Sequence, residues 1–158
     1  MIIVSDTSSI SNLLQIGLID VLHILYGEIT ITPAVNKELD RVSTHSNSLA
    51  QIDWIKVKLP RNQELVAKLL EELDLGEAES IVLAVEEKAE YLIIDEYAGR
   101  KIADAMGVKI VGILGVLIQA KSKGIIPSVK DPVERLVEIG FRLNEQLIES
   151  VLKSLKEI

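Results

Sequence analysis

The chain has 158 residues, 48% hydrophobic and 26% charged, which is one ordinary domain with enough apolar content to bury a core and excludes a disordered tail. It has no cysteine and two histidines, which excludes disulfides and thiolate chemistry and leaves little for a zinc site. The formal net charge of −7 opposes nucleic-acid binding by overall charge, although a divalent ion bound by several acids would cancel their charge locally.

The chain opens with "MIIVSDTSSI", which lacks the basic start and long apolar region of a signal peptide. No apolar run reaches the roughly 18 residues of a membrane span, so a cytoplasmic protein away from the membrane is expected. "IIV" (2–4) predicts a first strand, followed by helices over 9–16 and 18–25. "EITI" (28–31) predicts a second strand. A helix over 33–42 follows, with Pro33 in its first turn and Thr32 as its cap. "WIKVK" (54–58) predicts a third strand, followed by helices over 63–73, capped by Asn62, and 77–88. "YLII" (91–94) predicts a fourth strand with a helix over 99–106. "VKIVG" (108–112) predicts a fifth, with a helix over 113–123.

The first and fourth strands are continuous apolar runs, as expected for strands covered on both faces. The third and fifth alternate and suit sheet edges. Strands alternating with helices predict an α/β fold: a three-layer α/β/α sandwich around a five-stranded, mainly parallel sheet. No linker or repeat divides it, so one domain over 1–158 is expected, with a C-terminal helical extension from about 127. In that extension, "DPVERLVEIG" and "NEQLIESVLKSLKEI" read as two helices, the second capped by Asn144. Its apolar face of Leu147, Ile148, Val151, Leu152 and Leu155 packs on the domain's own core or faces a second protein.

The acids are placed unusually. Asp6 ends the first apolar strand and Asp95 the fourth, where open parallel sheets bind ligands. Each could instead cap the helix that follows it. Glu38 lies about 60° from Val35 and about 40° from Val42 on the helical wheel, at the rim of the inward stripe that Val35, Leu39 and Val42 form. Glu77 and Glu79 open a helix, where acids also suit the helix dipole. Residues two apart do not share a helix face. Glu79 has the better claim to the site, standing one turn ahead of the apolar Val82 and Leu83. Carboxylates gathered in one crevice repel one another unless protonated or joined by a cation. An all-oxygen set without His or Cys selects Mg²⁺ or Mn²⁺.

A receiver domain would need an Asp ending the third strand, and "WIKVKLP" has none. A nucleotide-binding module would need a glycine-rich loop after the first strand, and "SDTSSISN" has no glycine. The set of "DTSS", a mid-chain helical Glu, "LDLGEAESIVLAVE", "LIIDEYAGRKIA" and "GILGVLIQAKSKGII" resembles the PIN domains, over nearly the whole chain. It is similar to an uncharacterised prokaryotic PIN-like subfamily and to toxin ribonucleases of the virulence-associated protein C type. The "EAE" pair resembles that of flap endonucleases.

The resemblance implies a metal-dependent ribonuclease with Asp6, Glu38, Glu79 and Asp95 as catalytic metal ligands and Glu77 as an accessory ligand or a residue that supports the ligands without touching the metal. It implies that Ser8 steadies Asp6 and that Arg100 grips phosphate or pairs with an acid. The third acid is Glu where the toxin pattern has Asp. RNA as substrate, an antitoxin protein as partner and a homodimer are also implied by the resemblance. The competing expectation is a non-catalytic PIN-fold module that binds nucleic acid or protein.

Overall fold

The computed structural model describes residues 1–42 and 52–158. Five strands, β1 (Ile3–Ser5), β2 (Ile29–Ile31), β3 (Ile55–Val57), β4 (Tyr91–Ile93) and β5 (Ile110–Val111), form one parallel sheet in the order β3-β2-β1-β4-β5. In the central pair Ile3, Val4 and Ser5 lie opposite Tyr91, Leu92 and Ile93. The alternating β3 and β5 take the edges, as their patterns predict.

The described residues form nine helices: α1 (Thr7–Gln15), α2 (Asp20–Tyr26), α3 (Pro33–Val42), α4 (Gln63–Leu69), α5 (Leu75–Glu86), α6 (Tyr97–Ala105), α7 (Ile113–Ser122), α8 (Lys130–Glu138) and α9 (Glu145–Ser154). Adjacent strand residues point to opposite faces, which makes two cores. Ile3 and Ile93 join Ile10, Leu13, Val35 and Leu117 on one side of the sheet. Val4, Leu92 and Ile94 join Ile81 and Leu83 on the other. The result is the expected three-layer sandwich. No single helix among the described residues is long and apolar enough to cross a membrane.

Caps set the helix starts. Thr32 Oγ1 accepts from Val35 N, Asn62 Oδ1 from Leu65 N and Asn144 Oδ1 from Leu147 N, as the sequence predicts. Three helices, α1, α5 and α6, begin two residues earlier than the apolar pattern indicates. Asp6 caps α1, and Asp74 caps α5 in a reciprocal box with Glu77. α4 ends at Leu69, short of the expected 73, and the turn after it carries Leu73 into the second core.

On α3, Val35 and Leu39 are buried and Glu38 is half-buried; the side chain of Val42 lies outside the described residues. The two C-terminal helices pack on the first core. Val133, Leu136 and Leu152 are buried there, and Ile148, Val151 and Leu155 pack against it. Beyond α9 the Glu157 carboxylate closes the tail, accepting from Lys121 Nζ at 2.5 Å, Val129 N at 3.0 Å and Lys130 N at 2.8 Å.

Candidate active site

The order of the sheet reverses at its centre, so the ends of β1 and β4 border a crevice. Asp6 leaves β1 with its N–H donating to Ile93 O, and the residue is 3% exposed. Its Oδ1 accepts from Ser9 N at 3.1 Å, and its Oδ2 from the Ser8 hydroxyl at 3.4 Å. Burial pushes its pKa up to about 7, against the hydrogen bonds from Ser9, and the charges of Asp95 and Glu77 push the same way. Asp6 is therefore both a helix cap and a buried acid at the crevice.

Asp95 does not cap the helix that follows it. Its carboxylate crosses to α7 and accepts from Ile113 N at 3.0 and 3.3 Å. The Ser9 hydroxyl donates to Asp95 Oδ2 at 3.1 Å, so one serine fastens both aspartates. Burial raises the Asp95 pKa, opposed by the Ile113 and Ser9 hydrogen bonds and by the charge of Arg100. Arg100 donates from Nη1 to Ile94 O at 3.2 Å. Gly112 admits both groups, since a Cβ there would stand 2.7 Å from Arg100 Nη1 and from Asp95 Oδ1.

The other acids come from α3 and α5. Glu38 Oε2 accepts from the Thr7 hydroxyl at 2.7 Å, and its Oε1 lies against Gly76, where a Cβ would stand 2.6 Å away. The two glutamates of "EAE" part company. Glu79 is 6% exposed, and its Oε1 accepts from Ala34 N at 2.9 Å. Glu77, the reciprocal partner of Asp74 in the cap, faces the crevice. Its pKa is raised by burial and by the Asp74 charge. The expectation ranked Glu79 ahead of Glu77 as the site-facing acid; the side chains lie the other way round. With Asp74 as cap, Glu77 is the third helical residue at the mouth of the site, and Glu79, two further on, turns toward α3.

The crevice has a volume of about 410 Å³. Asp6, Thr7, Ser8, Glu38, Glu77 and Glu96 are among its walls, and among the described residues no Lys or Arg is. Asp95 opens instead on a neighbouring groove with Arg100. Sequence reasoning missed Thr7, Ser9, Asp74 and Glu96. The Asp74–Glu77 spacing is itself a capping-box signal, and Glu96 stands next to Asp95. The hydroxyl roles of Thr7 and Ser9 have no comparable sign.

A family model described as a PIN domain matches residues 2–157. The chain belongs to the PIN-domain family. No curated protein matches it. PIN domains are generally nucleases and typically use divalent metals. In this PIN domain the donor chemistry fits such an ion: the acids supply hard oxygen ligands, and among the described residues no Lys or Arg lines the crevice to offset the buried Asp6, whose pKa is raised. The ligand geometry is not preassembled, because among the described residues no three acidic or histidine side chains already surround a common point. Glu38 and Glu77 are engaged with Thr7 and Asp74.

Proposed function

We propose that this PIN domain is a divalent-metal-dependent ribonuclease that hydrolyses phosphodiester bonds. One observation carries the reading: Asp6 is buried at the end of a central strand, in a crevice walled by Glu38, Glu77 and Glu96 with no basic residue among the described ones. Burial raises the pKa of Asp6, and the charges of Asp95 and Glu77 add to it, a cost that a bound cation would remove. A fold that merely needed a helix cap at Asp6 has no use for the other acids around it.

Asp6, Glu38, Glu77 and Asp95 would hold Mg²⁺ or Mn²⁺, with Glu79 setting the position of α3. When bound, such an ion supplies an activated water and charge to offset the phosphate oxygens. The chain's own residues do the positioning. Ser9 ties Asp6 to Asp95, Thr7 orients Glu38, Ser8 supports the outer oxygen of Asp6, and Arg100 stands beside Asp95 to meet a phosphate. RNA rather than DNA follows from the likeness to PIN ribonucleases. The same likeness supports a toxin role, an antitoxin partner and a homodimer. Growth arrest on expression, relieved by the product of a neighbouring reading frame, tests the toxin role and partner.

The direct test is cleavage of a labelled RNA with Mn²⁺ or Mg²⁺, its abolition by EDTA and its loss in Asp6→Asn. The same ions should raise the melting temperature, since a ligand at a hundredfold excess over its Kd adds about 2.7 kcal/mol to stability. A second reading, a non-catalytic binding module, is favoured by the unassembled acids and the net charge of −7. A thermal shift without cleavage would establish that reading.

A further inference from the structure

Among the described residues no cation lines the acid crevice, so its walls offer an ion oxygen ligands but offer a polyanion no counter-charge. The groove next to it has what the crevice lacks. It runs between α6, α7 and α9, with a volume of about 680 Å³, within the size range of ligand sites. Asp95 lies on its wall, and Ser9 links Asp95 to Asp6, so groove and crevice meet at the same strand ends.

Its lining is selective. The chain has one Trp, three Tyr and one Phe. The one Phe, Phe141, and Tyr97, which is 78% exposed, both line this groove. Arg100 and Arg142 line it too. Among the described residues neither arginine forms an ion pair within a side-chain salt bridge. Leu114, Ile118 and Leu147 supply an apolar floor. Tyr97 offers an exposed aromatic face, Phe141 a half-buried one that also packs on the first core, and an apolar floor with guanidinium groups beside it completes what stacking unpaired bases and gripping the phosphates between them requires. A duplex has no free base faces to offer. Two arginines beside the acids of a −7 chain also place positive charge where a phosphodiester must approach.

We propose that this groove is the nucleotide subsite of the enzyme, binding single-stranded RNA next to the scissile bond. Tyr97 and Phe141 stack bases, and Arg100 and Arg142 contact phosphates. The subsite rests on the ribonuclease reading above, and the two are separable by experiment.

The probe is a short single-stranded oligoribonucleotide carrying 2-aminopurine, whose fluorescence falls on stacking. It is titrated with the full chain in Ca²⁺ and in EDTA, and cleavage is measured separately in Mn²⁺. Binding should quench the probe. Tyr97→Ala should remove most of the quench and weaken binding at least about fivefold, while Tyr97→Phe retains both. Arg142→Ala should weaken binding and lower the salt dependence by about one ion. Both positions are exposed, so both variants should fold with unchanged melting temperature. Mn²⁺-dependent cleavage with no quench, and with KM unchanged in Tyr97→Ala and Arg142→Ala, would overturn the subsite and leave the nuclease standing. Quench that depends on Tyr97, without cleavage under any metal, would support the subsite and remove the nuclease. Absence of quench in both conditions, with a dimer that Leu147→Asp dissociates, would make the groove an interface between copies and overturn the proposal.

Discussion

Glu79 Oε1 accepts the backbone N–H of Ala34 at 2.9 Å, a bond from α5 to the first turn of α3 across 45 residues of sequence. Pro33 has no N–H, so Ala34 carries the first donor of α3. Four residues on, one turn along the same face, stands Glu38. Glu79 thus acts on the crevice through the placement of a helix. Glu79→Ala should leave that buried donor unpaired and destabilise the fold by about 2 kcal/mol. Glu79→Gln keeps an acceptor oxygen and should cost less than about 1 kcal/mol. Glu77→Gln should leave stability nearly unchanged but reduce the Mn²⁺ thermal shift and RNA cleavage more than Glu79→Gln. Denaturant unfolding and metal thermal shifts on the three variants check this. Loss of the metal response in Glu79→Gln alone would return Glu79 to the site.

The fate of this pair shows what a sequence can and cannot tell. The strands were legible because apolar runs bounded by turn residues need no distant information. Thr32, Asn62 and Asn144 were legible as caps because capping is decided within four residues. Asp6 and Asp95 were legible as acids at strand ends. Where their second bonds go was not: Asp95 reaches α7, and its partner Ile113 is 18 residues away. The direction of Glu79 depended on two unseen things, the start of α5 at Leu75 and an orphan N–H on α3. Glu77 and Glu79, two residues apart, point about 200° away from each other around the helix, so one can face the crevice only if the other turns toward α3.

Gly76 tests the approach of Glu38. It lies in the first turn of α5, where alanine ordinarily favours the helix by roughly 0.5–1 kcal/mol. An added Cβ would stand 2.6 Å from Glu38 Oε1, the free end of a flexible side chain, so the carboxylate would yield rather than the backbone. Gly76→Ala should therefore fold as stably as the parent or better, yet bind Mn²⁺ more weakly and cleave RNA more slowly. An unchanged metal affinity would show that Glu38 takes no part in holding the ion.

Asp6→Asn separates the cap from the acid. Asparagine caps helices as well as aspartate does, so the bond to Ser9 N should survive. The charge does not. In EDTA at pH 8 the buried carboxylate must ionise in a site that raises its pKa to about 7, whereas the unfolded group ionises near 3.8. A folded pKa above the unfolded one means that stability is lost as pH rises from the lower value through the higher. The linkage sets an upper bound of about 4 kcal/mol for that loss. Asp6→Asn should raise the melting temperature at pH 8 in EDTA, give little gain near pH 4 and abolish cleavage. A destabilised variant at pH 8 would mean that Asp6 serves the fold more than the site.

Glu157 has the opposite sign. Burial would raise its pKa, but the hydrogen bond from Lys121, those from the N–H groups of Val129 and Lys130, and the Lys121 charge together lower it to about 2. Its side chain is 8% exposed and that of Lys121 is 25% exposed. An acid with a folded pKa below its unfolded value of 4.5 contributes stability above pH 4.5 and loses it as pH falls toward 2. Glu157→Gln removes the charge that receives Lys121 while leaving an oxygen for the two backbone donors. The variant should melt below the parent at pH 7, and the gap should narrow between pH 4.5 and 2 until the two curves meet. Comparing the pair cancels the other acids that titrate in that range. Lys121→Met should reproduce part of the neutral-pH loss. RNA cleavage at pH 7, well below both melting temperatures, should not change, because the clasp ties the tail to α7 and α8 and no residue of it lines the crevice. A gap that stays constant down to pH 2 would mean that Glu157 stabilises the tail by packing alone.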